Sequence, residues 1–541
     1  MTTSGRSGHV DTFCRDNLPA RDLWPEFRFE RPDLQYPPRL NAAVELLDAT
    51  ASRFGGERPC LLAPDGTRWT YAEVAARANR IAHVLVDDLG IVPGNRVLLR
   101  APNSPALAVC WLAVLKAGGV VVTSMPLLRP GEIATLADIT RPQVALCDER
   151  FLDDLVVAAP ELRVVPFGRD DTELESLAAS KPASFAAADT AADDVAILAT
   201  TSGTTGRPKA TMHFHRDLLA VADTFSKHVI KPEPDDVFTG SPPLAFTFGL
   251  GGLLLFPLRA GAATLLVERA TPAELADHIA AHGATICSTA PTAYRAMLAA
   301  GRAAALTGLR RAVSAGEHLP ASTWHAFHEA TGVQLIDGIG STEMLHVFIS
   351  AADEDIRPGS TGRAVPGYRA RIVDDDGTPV PQGVAGRLAV QGPTGCRYLA
   401  DPRQAAYVQG GWNITGDTYV EDEDGYFNFV ARSDDMIVSA GYNIAGPEVE
   451  EALLAHPAVL ECCVVGVPDA QRGQLVKAFV VAAPGTVPDD QLVADLQAFA
   501  KTRIAPYKYP RAIEFIAALP RTNTGKVQRY KLRDAEASAA R

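Results

Sequence analysis

The chain has little that would suit nucleic acid, a membrane span or a disulfide-bonded scaffold. It has 64 Asp and Glu against 51 Lys and Arg, which gives a net charge of −13 and a pI near 5.5. Without a Lys/Arg cluster, this composition disfavours a nucleic-acid partner. The eight cysteines are scattered without a C-x-x-C pair. We therefore expect reduced, mostly buried thiols, a cytoplasmic location and no zinc site.

Long apolar segments are also scarce. The N-terminus lacks the apolar stretch of a signal peptide. Residues 240–258 are uncharged and nearly long enough to span a membrane, but three prolines and several glycines interrupt them. We expect this segment to form the buried wall of a pocket, with no membrane partner.

The 541 residues are too many for one core, so at least two domains are expected. Strand-like and helix-like segments alternate up to about residue 340, which predicts α/β architecture with mostly parallel sheets covered by helices. Short strands and turns between about 360 and 430 indicate a β-rich subdomain. We predict an N-terminal domain over residues 1–432, with residues 1–40 draped on it, and a small mobile α+β C-terminal domain over residues 433–541.

One polar loop follows the strand-like run at residues 195–199. It reads Thr-Thr-Ser-Gly-Thr-Thr-Gly-Arg-Pro-Lys from Thr200 to Lys209. Its glycines allow sharp bends, and its hydroxyls, backbone N–H groups and cations suit a polyphosphate. The G-x-x-x-x-G-K-[ST] spacing of a Walker A loop is absent. Taken alone, the loop could equally be a solvated turn.

Two further stretches carry single charged residues in polar turns. Glu343 ends a Gly-rich turn at the expected carboxyl edge of a sheet, where α/β proteins bind ligands. Lys526 ends the turn at residues 520–526. An isolated Glu or Lys is usually a solvated surface residue, so neither residue decides a function alone.

Together these motifs resemble the adenylate-forming superfamily of acyl-CoA synthetases, peptide-synthetase adenylation domains and luciferases. The match runs in family order from about residue 194 to 526 and includes Thr415-Gly416-Asp417 and Ala431-Arg432-Ser433-Asp434. It implies Mg²⁺ binding by Glu343, a catalytic role for Thr201, and adenylation by Lys526, which would bridge the carboxylate and the α-phosphate. Ala431 stands where the family usually has glycine, which leaves the local backbone geometry open.

The resemblance also implies the binding residues. It places ATP against Thr201, Ser202, Gly203, Thr204, Thr205, Gly206, Lys209, Gly316, Glu317, Asp337, Gly338, Ile339, Thr342, Asp417 and Arg432. Asp417 and Arg432 would contact the ribose, and Asp434 would be the hinge between domains. Gly441 would leave room for the pantetheine arm of coenzyme A.

Within the superfamily, residues 244–251 and 340–348 look most like benzoate-CoA ligases, especially the 2-aminobenzoate-CoA ligase branch. The expected acid site comprises Phe246, Thr247, Phe248, Gly338, Gly340 and His346. Aromatic walls and glycines suggest a flat slot, with His346 near the aryl ring. The two phenylalanines could instead be core residues, and His346 a buried structural imidazole.

The resemblance implies an ATP-dependent ligase that forms acyl-AMP from an aromatic acid and transfers the acyl group to CoA. The favoured acid is 2-aminobenzoate, with benzoate and 2-hydroxybenzoate as rivals. A stand-alone adenylation enzyme that loads a carrier protein shares every ATP motif. A non-catalytic nucleotide-binding relative is disfavoured because Glu343, Asp417, Arg432 and Lys526 are all present.

Overall fold

The structure is a computed structural model of the full chain. It describes residues 6–201, 208–432, 435–439, 442–469, 472–505, 507–522 and 526–539. Within them the architecture is α/β, with helices covering mostly parallel sheets, a β-rich part, and a final α+β part.

The strands are numbered in chain order. Those up to residue 364 are β1 (Pro59–Leu62), β2 (Arg68–Thr70), β3 (Arg96–Arg100), β4 (Val120–Ser124), β5 (Val144–Asp148), β6 (Arg163–Phe167), β7 (Val195–Thr201), β8 (Lys209–Phe214), β9 (Val237–Gly240), β10 (Ala263–Leu265), β11 (Ile286–Thr289), β12 (Arg311–Ala315), β13 (Leu335–Gly340), β14 (Val347–Ser350) and β15 (Arg363–Ala364). The later strands are β16 (Arg369–Val373), β17 (Gly386–Gln391), β18 (Val408–Gln409), β19 (Trp412–Glu421), β20 (Phe427–Arg432), β21 (Ile437–Ser439), β22 (Tyr442–Ile444), β23 (Val459–Asp469), β24 (Gly473–Ala482) and β25 (Ala512–Phe515).

The helices follow the same numbering. The α-helices are α1 (Phe13–Asp16), α2 (Ala49–Phe54), α3 (Tyr71–His83), α4 (Pro105–Lys116), α5 (Pro130–Thr140), α6 (Leu152–Ala158), α7 (Glu173–Ala178), α8 (His215–Val221), α9 (Thr247–Leu250), α10 (Phe256–Ala260), α11 (Pro272–His282), α12 (Pro291–Ala299), α13 (Ala303–Leu306), α14 (Ala321–Thr331), α15 (Gln404–Tyr407), α16 (Gly446–Leu454), α17 (Asp490–Arg503) and α18 (Arg529–Ala539). Segments of π-helix cover Val44–Asp48, Val84–Asp88, Ala222–Ile230 and Gly251–Leu255.

Two sheets frame the larger part of the molecule. The first has the order β6-β5-β3-β4-β7-β8 and is parallel except for the antiparallel pair β7–β8. The second has the order β15-β14-β13-β12-β11-β9-β10-β1-β2, with parallel pairing from β13 to β1. Central strands such as β3, β5 and β11 are buried on both faces, as helix-covered parallel sheets require, whereas the edge strands β2, β6 and β15 are partly exposed. The carboxyl ends of β12 and β13 therefore meet at one edge.

Local sequence signals fix several helix boundaries. The Thr70 side chain accepts a hydrogen bond from the Glu73 backbone, and the Glu73 carboxylate accepts one from the Thr70 backbone, so α3 begins with the predicted capping box. Helix α4 has Ser104 as its N-cap and Pro105 at its first position. Residues 247–260 form the buried helical run α9, a π segment and α10, as expected of an internal wall.

The later strands form two further sheets. The β-rich part has the order β16-β17-β19-β18, with β20 beside β19. The last sheet has the order β22-β21-β24-β23, with β25 beside β24, and encloses its own apolar core from residues such as Ile437, Val449 and Leu496. This sheet belongs to the predicted C-terminal domain. It meets the rest of the chain at α14, where the Ala321 backbone N–H donates to Glu451 at 3.3 Å.

The N-terminal segment, residues 6–40, is fastened onto the first sheet. Asp11 Oδ2 accepts hydrogen bonds from Arg96 Nη1 at 2.6 Å and Asn95 Nδ2 at 2.8 Å. The Gly8 backbone N–H donates to Asp194 Oδ2 at 2.7 Å. The Arg96 guanidinium also lies 4.3 Å from the Phe13 ring centroid. Polar contacts therefore hold this segment as part of the fold.

All eight cysteines are free thiols, and all but the half-buried Cys462 are buried. Burial raises the pKa of Cys14 and Cys147 to about 12, so these thiols stay protonated. Among the described residues, every helix is too short or too polar to cross a bilayer.

Candidate active site

The site begins at the carboxyl ends of β12 and β13. These strands pair in parallel, with Ser314 opposite Asp337 and Ala315 opposite Gly338. Gly316 and Glu317, which follow β12, therefore lie beside Ile339 at the end of β13. Gly316 has φ +91°, which glycine adopts at little cost. Most of the predicted nucleotide-binding residues of this half of the chain thus share one sheet edge.

Glu343 lies in the tight turn between β13 and β14. Leu345, a buried residue, adopts φ +69°, an uncommon conformation for a bulky side chain. Three hydrogen bonds hold the turn: the Met344 N–H donates to Ser341 Oγ (3.2 Å), Thr394 Oγ1 to the Met344 carbonyl (2.7 Å), and His213 Nε2 to the Thr342 carbonyl (2.8 Å). The surrounding structure therefore imposes the position of the Glu343 backbone.

The Glu343 side chain is 11% exposed, and its carboxylate belongs to a chain of polar contacts. Its Oε1 accepts a 2.5 Å hydrogen bond from the Tyr398 hydroxyl, which in turn accepts one from Lys209 Nζ at 2.7 Å. Lys209 Nζ lies 3.8 Å from the same carboxylate oxygen. The ionised partner and the short distances make these strong hydrogen bonds.

These residues suit a magnesium ion that is held by one protein carboxylate, with substrate phosphates and waters as its other ligands. Within the residues that the structure describes, no group of three or more His, Cys, Asp or Glu side chains could enclose a metal ion. Mg²⁺ is commonly held by one or two carboxylates together with substrate phosphates and waters. A single anchored carboxylate, Glu343, suits that arrangement.

The predicted phosphate loop leaves β7 and returns as β8. Thr201 and Lys209 are cross-strand partners at its two ends. Thr201 Oγ1 is buried and has no hydrogen-bond partner among the residues that the structure describes. A buried hydroxyl without a partner fits a ligand oxygen that is not part of the chain. Ser202, Gly203, Thr204, Thr205 and Gly206 lie outside the described residues.

Lys526, from the C-terminal part of the chain, reaches this sheet edge at Gly316. A side chain begun at Gly316 would place its Cβ 3.5 Å from Lys526 Cε, so the lysine passes directly over Gly316. Lys526 keeps contact with solvent, and its pKa is lowered by loss of water around the ammonium and by repulsion from Arg432. Asp417, Glu317 and Glu343 oppose this shift. The chain thus brings Lys526 and Glu343 to one site.

Asp417 and Arg432 stand opposite each other on the antiparallel strands β19 and β20. A Cβ at Gly416 would lie 3.0 Å from Arg432 Nη2, so the guanidinium lies against the Gly416 backbone. The pairing puts the predicted ribose-binding carboxylate and guanidinium side by side. It also places both close enough to Lys526 to alter its pKa.

Asp337 on β13 is a half-buried residue whose Oδ1 atom is itself buried. Loss of water around the carboxyl raises its pKa well above the ordinary value, and a hydrogen bond from the Gly338 backbone opposes the shift. Within the described residues, Oδ1 has no hydrogen-bond partner. An unpaired acceptor at this position can take an amino donor from a bound ligand, as its predicted role in nucleotide binding requires.

His346 is enclosed by aromatic rings behind the Glu343 turn. Its ring centroid lies 5.4 Å from that of Phe225, 5.6 Å from Phe248 and 4.6 Å from Phe256. Burial lowers its pKa to about 3, so the imidazole is neutral at physiological pH. Nε2 lies 3.4 Å from the Phe248 carbonyl, and Nδ1 has no hydrogen-bond partner in the part of the chain that the structure describes. Because Nε2 faces a carbonyl oxygen, it carries the proton of the neutral ring. Nδ1 is then unprotonated and can accept a hydrogen bond.

The other predicted acid-site residues lie on α9 and on β13. Phe246 is the N-cap of α9 and Thr247 its first residue, and both line a small cavity together with Trp111, Thr123 and Leu250. A Cβ at Gly338 would lie 2.7 Å from Val347 Cγ1, and one at Gly340 would lie 2.8 Å from the His346 carbonyl carbon. The close approach of β14 therefore accounts for both glycines. A role for them in shaping the slot stays a prediction.

The hinge and thioester predictions fall on Asp434 and Gly441, which lie outside the described residues. Sequence reasoning missed other residues of the site. Tyr398 comes from an ordinary apolar segment that carries no motif. His213 bonds the Thr342 carbonyl and lies 3.8 Å from Asp217, which is ion-paired with the buried Arg397. A short sequence motif cannot predict these contacts, because Tyr398 and Glu343, and likewise His213 and Thr342, are more than 50 residues apart in the chain.

Comparison with known proteins decides the family. Residues 47–398 match the model of the AMP-binding enzyme family, and residues 448–526 match that of the AMP-binding enzyme C-terminal domain. The chain belongs to this adenylate-forming family. It is an AMP-forming acid–thiol ligase, as the resemblance of its motifs implied.

Individual relatives cover almost the whole chain of this family member. The benzoate–CoA ligase of Thauera aromatica is 37% identical over 516 residues, which cover 93% of this chain and 98% of that protein. The structure of the anthranilate CoA ligase AuaEII with anthranoyl-AMP has a TM-score of 0.90 and 35% identity, covering 94% of this chain and 100% of that one. A benzoate CoA ligase from Burkholderia xenovorans LB400 has a TM-score of 0.85 and 33% identity, covering 91% and 100%.

Proposed function

We propose that the protein is an aryl-CoA ligase that converts 2-aminobenzoate, ATP and CoA to 2-aminobenzoyl-CoA, AMP and pyrophosphate. The similarity to benzoate and anthranilate ligases supports the aromatic class of acid. The observation that carries the finer proposal is the Nδ1 of the neutral His346, which lies among three phenylalanines and has no hydrogen-bond partner within the described residues.

An ortho amino group on the acid would give the buried His346 Nδ1 a hydrogen-bond donor. A buried acceptor left without a donor costs about 1–3 kcal/mol. The amino group of 2-aminobenzoate brings an N–H donor, whereas unsubstituted benzoate brings none. A site that contains such an acceptor should therefore prefer 2-aminobenzoate over benzoate.

The chemistry follows from charge and alignment. The carboxylate of the acid attacks the α-phosphate of ATP, two anionic groups that repel each other. Lys526 would neutralise and align them, while Thr201 and Lys209 hold phosphate oxygens and Asp417 and Arg432 hold the ribose. Glu343 would bind Mg²⁺, which supplies positive charge on the phosphates when bound. In the second step the CoA thiolate displaces AMP from the acyl-AMP.

The test is kcat/KM for thioester formation with free CoA across 2-aminobenzoate, 2-hydroxybenzoate, benzoate and octanoate. We expect 2-aminobenzoate to be the best substrate and octanoate the poorest. In His346→Phe, which keeps an aromatic ring but removes the acceptor, the preference for 2-aminobenzoate over benzoate should fall about 10-fold.

Three results would count against the proposal. Octanoate as the best substrate would contradict the aryl pocket. An unchanged ranking of the aryl acids in His346→Phe would make His346 a core residue. Product found on a carrier protein but never on free CoA would contradict the acceptor.

A further inference from the structure

The turn that carries Lys526 also carries an arginine at its other end. Arg521 forms an antiparallel bridge with Val527. The Thr522 N–H donates to the Lys526 carbonyl at 2.7 Å, and the Lys526 N–H donates to Thr522 Oγ1 at 3.1 Å. These bonds join the two ends of the turn. The position of Arg521 therefore helps to set the position of the Lys526 backbone.

The guanidinium of Arg521 spans the boundary between the two predicted domains. Its Nη2 donates to Glu461 Oε2 at 2.8 Å, on β23 of the same C-terminal sheet. Its Nη1 donates to Glu317 Oε1 at 3.4 Å, on the loop that follows β12. The three side chains are only 15–31% exposed, so solvent screens these charges less than on an open surface.

Glu317 is well placed to be the fixed end of this contact. It directly follows Gly316, the residue over which Lys526 Cε passes at 3.5 Å. Burial raises its pKa, while Arg521, a hydrogen bond with Thr292 and the charge of Lys526 oppose the shift. The Glu317 carboxylate is half-buried and bonded to Thr292 on α12. An ionised carboxylate in such a place is costly without a cation beside it, and Arg521 supplies that cation.

We propose that Arg521 is a positioning residue for adenylation, whose ion pair with Glu317 holds the Lys526 turn over Gly316 at the nucleotide site. The inference rests on the proposed role of Lys526 in the first half-reaction. Arg521 is not among the residues expected to contact ATP, the acid or CoA, so we assign it no catalytic role. It acts by fixing where the turn sits, so its loss should affect the step that needs Lys526 and spare the step that does not.

The test separates the two half-reactions in Arg521→Gln and Glu317→Gln. Adenylation is followed by ATP–pyrophosphate exchange, and thioester formation is followed with CoA and synthetic acyl-AMP. For Arg521→Gln we expect the exchange kcat to fall about 10- to 30-fold, with KM for ATP and acid within threefold. Thioester formation from acyl-AMP should stay within twofold of wild type. Arg521→Lys, which keeps the charge, should recover part of the exchange rate.

The double variant Arg521→Gln/Glu317→Gln measures whether the two residues act together. If they form one unit, it loses no more exchange activity than the worse single variant. Lys508→Gln is the matched control, because Lys508 pairs with Glu448 at 2.6 Å entirely within the C-terminal sheet and its helices. Both half-reactions should be unchanged in it, and thermal unfolding confirms that all variants are folded.

Two kinds of failure can be told apart when Lys526→Ala is assayed in parallel. Near wild-type exchange in Lys526→Ala would contradict the proposed role of the lysine, and this inference with it. If Lys526→Ala blocks exchange, the inference alone is overturned by any of three results. These are exchange within twofold of wild type in Arg521→Gln, an equal fall of both half-reactions, or multiplicative losses in the double variant.

Discussion

The hydroxyl of Tyr398 donates a 2.5 Å hydrogen bond to Oε1 of Glu343, the carboxylate expected to meet the metal and the phosphates. Fifty-five residues separate the two along the chain. Because the same hydroxyl accepts from Lys209, it links a cation beside the phosphate loop to the acidic residue. The tyrosine thus fixes the distance between a positive and a negative group of the site.

Removing that hydroxyl should therefore slow adenylation. In Tyr398→Phe we expect the pyrophosphate-exchange kcat to fall at least 10-fold, since a hydrogen bond to a charged group is worth about 1.5–3 kcal/mol. Thioester formation from supplied acyl-AMP should change little. Tyr36→Phe is the control, because Tyr36 also donates to a carboxylate, Asp223, at 3.0 Å. Equal losses in the two variants would show that the effect is one of general stability.

Lys526→Ala should remove adenylation far more completely. Losing one preorganised charge at the reacting phosphate costs about 3–4 kcal/mol, or 10²- to 10³-fold in rate. The measurement is pyrophosphate–ATP exchange, with thioester formation from acyl-AMP as the internal control. A variant that exchanges at close to the wild-type rate would refute the role.

Three histidines, His215 and His346 buried and His318 half-buried, should make the fold sensitive to acid. Burial lowers the pKa of His215 and His346 to about 3 and that of His318 to about 4, from an ordinary 6.5. The unfolded chain therefore binds more protons as the pH falls below 6.5, and the free energy of unfolding decreases. Between pH 7.5 and 5.5 each histidine contributes a loss of about 1.4 kcal/mol.

Urea unfolding across that pH range tests the prediction. In His318→Gln, the loss in the free energy of unfolding between pH 7.5 and 5.5 should be smaller by about 1.4 kcal/mol, the contribution of one histidine. A variant with the full wild-type slope would mean that His318 is protonated in the folded protein.

Gly338→Ala discriminates between two reasons for a glycine on β13. If the close approach of Val347 is the reason, the variant should lose about 1–3 kcal/mol of stability by overpacking. Adding Val347→Ala should restore most of the loss. A fully stable Gly338→Ala with an altered ranking of aromatic acids would instead place the glycine at the substrate slot.

Local signals predicted the local structure well. The helix over Pro105–Lys116 and the capping box at Thr70 follow from side chains within a few residues of each boundary, and the structure confirms both. The adenylate-forming family, the α/β architecture and the free cysteines were also predicted correctly. Each of these inferences needed only periodicity, composition or a contiguous motif.

Contacts between distant segments could not be predicted in this way. Tyr398 meets Glu343, and Arg521 meets Glu317, only because the sheets and the C-terminal strands bring four separate segments together. The order of strands in the second sheet depends on crossover connections between distant segments, which no short stretch of sequence predicts. Sequence motifs named the charged groups of the site, but the groups that hold them in place are visible only in the folded chain.

The fastening of the N-terminal segment has a practical consequence for handling the protein. Arg96 is 3% exposed, and Asp11 and the Phe13 ring are its partners. A protein shortened to begin after residue 13 would leave that guanidinium buried without its counter-ion, a change that costs about 3–5 kcal/mol where such pairs are broken. A shortened or tagged protein should therefore keep residues 8–13 intact, so that Gly8 can still reach Asp194 and Asp11 can still reach Arg96.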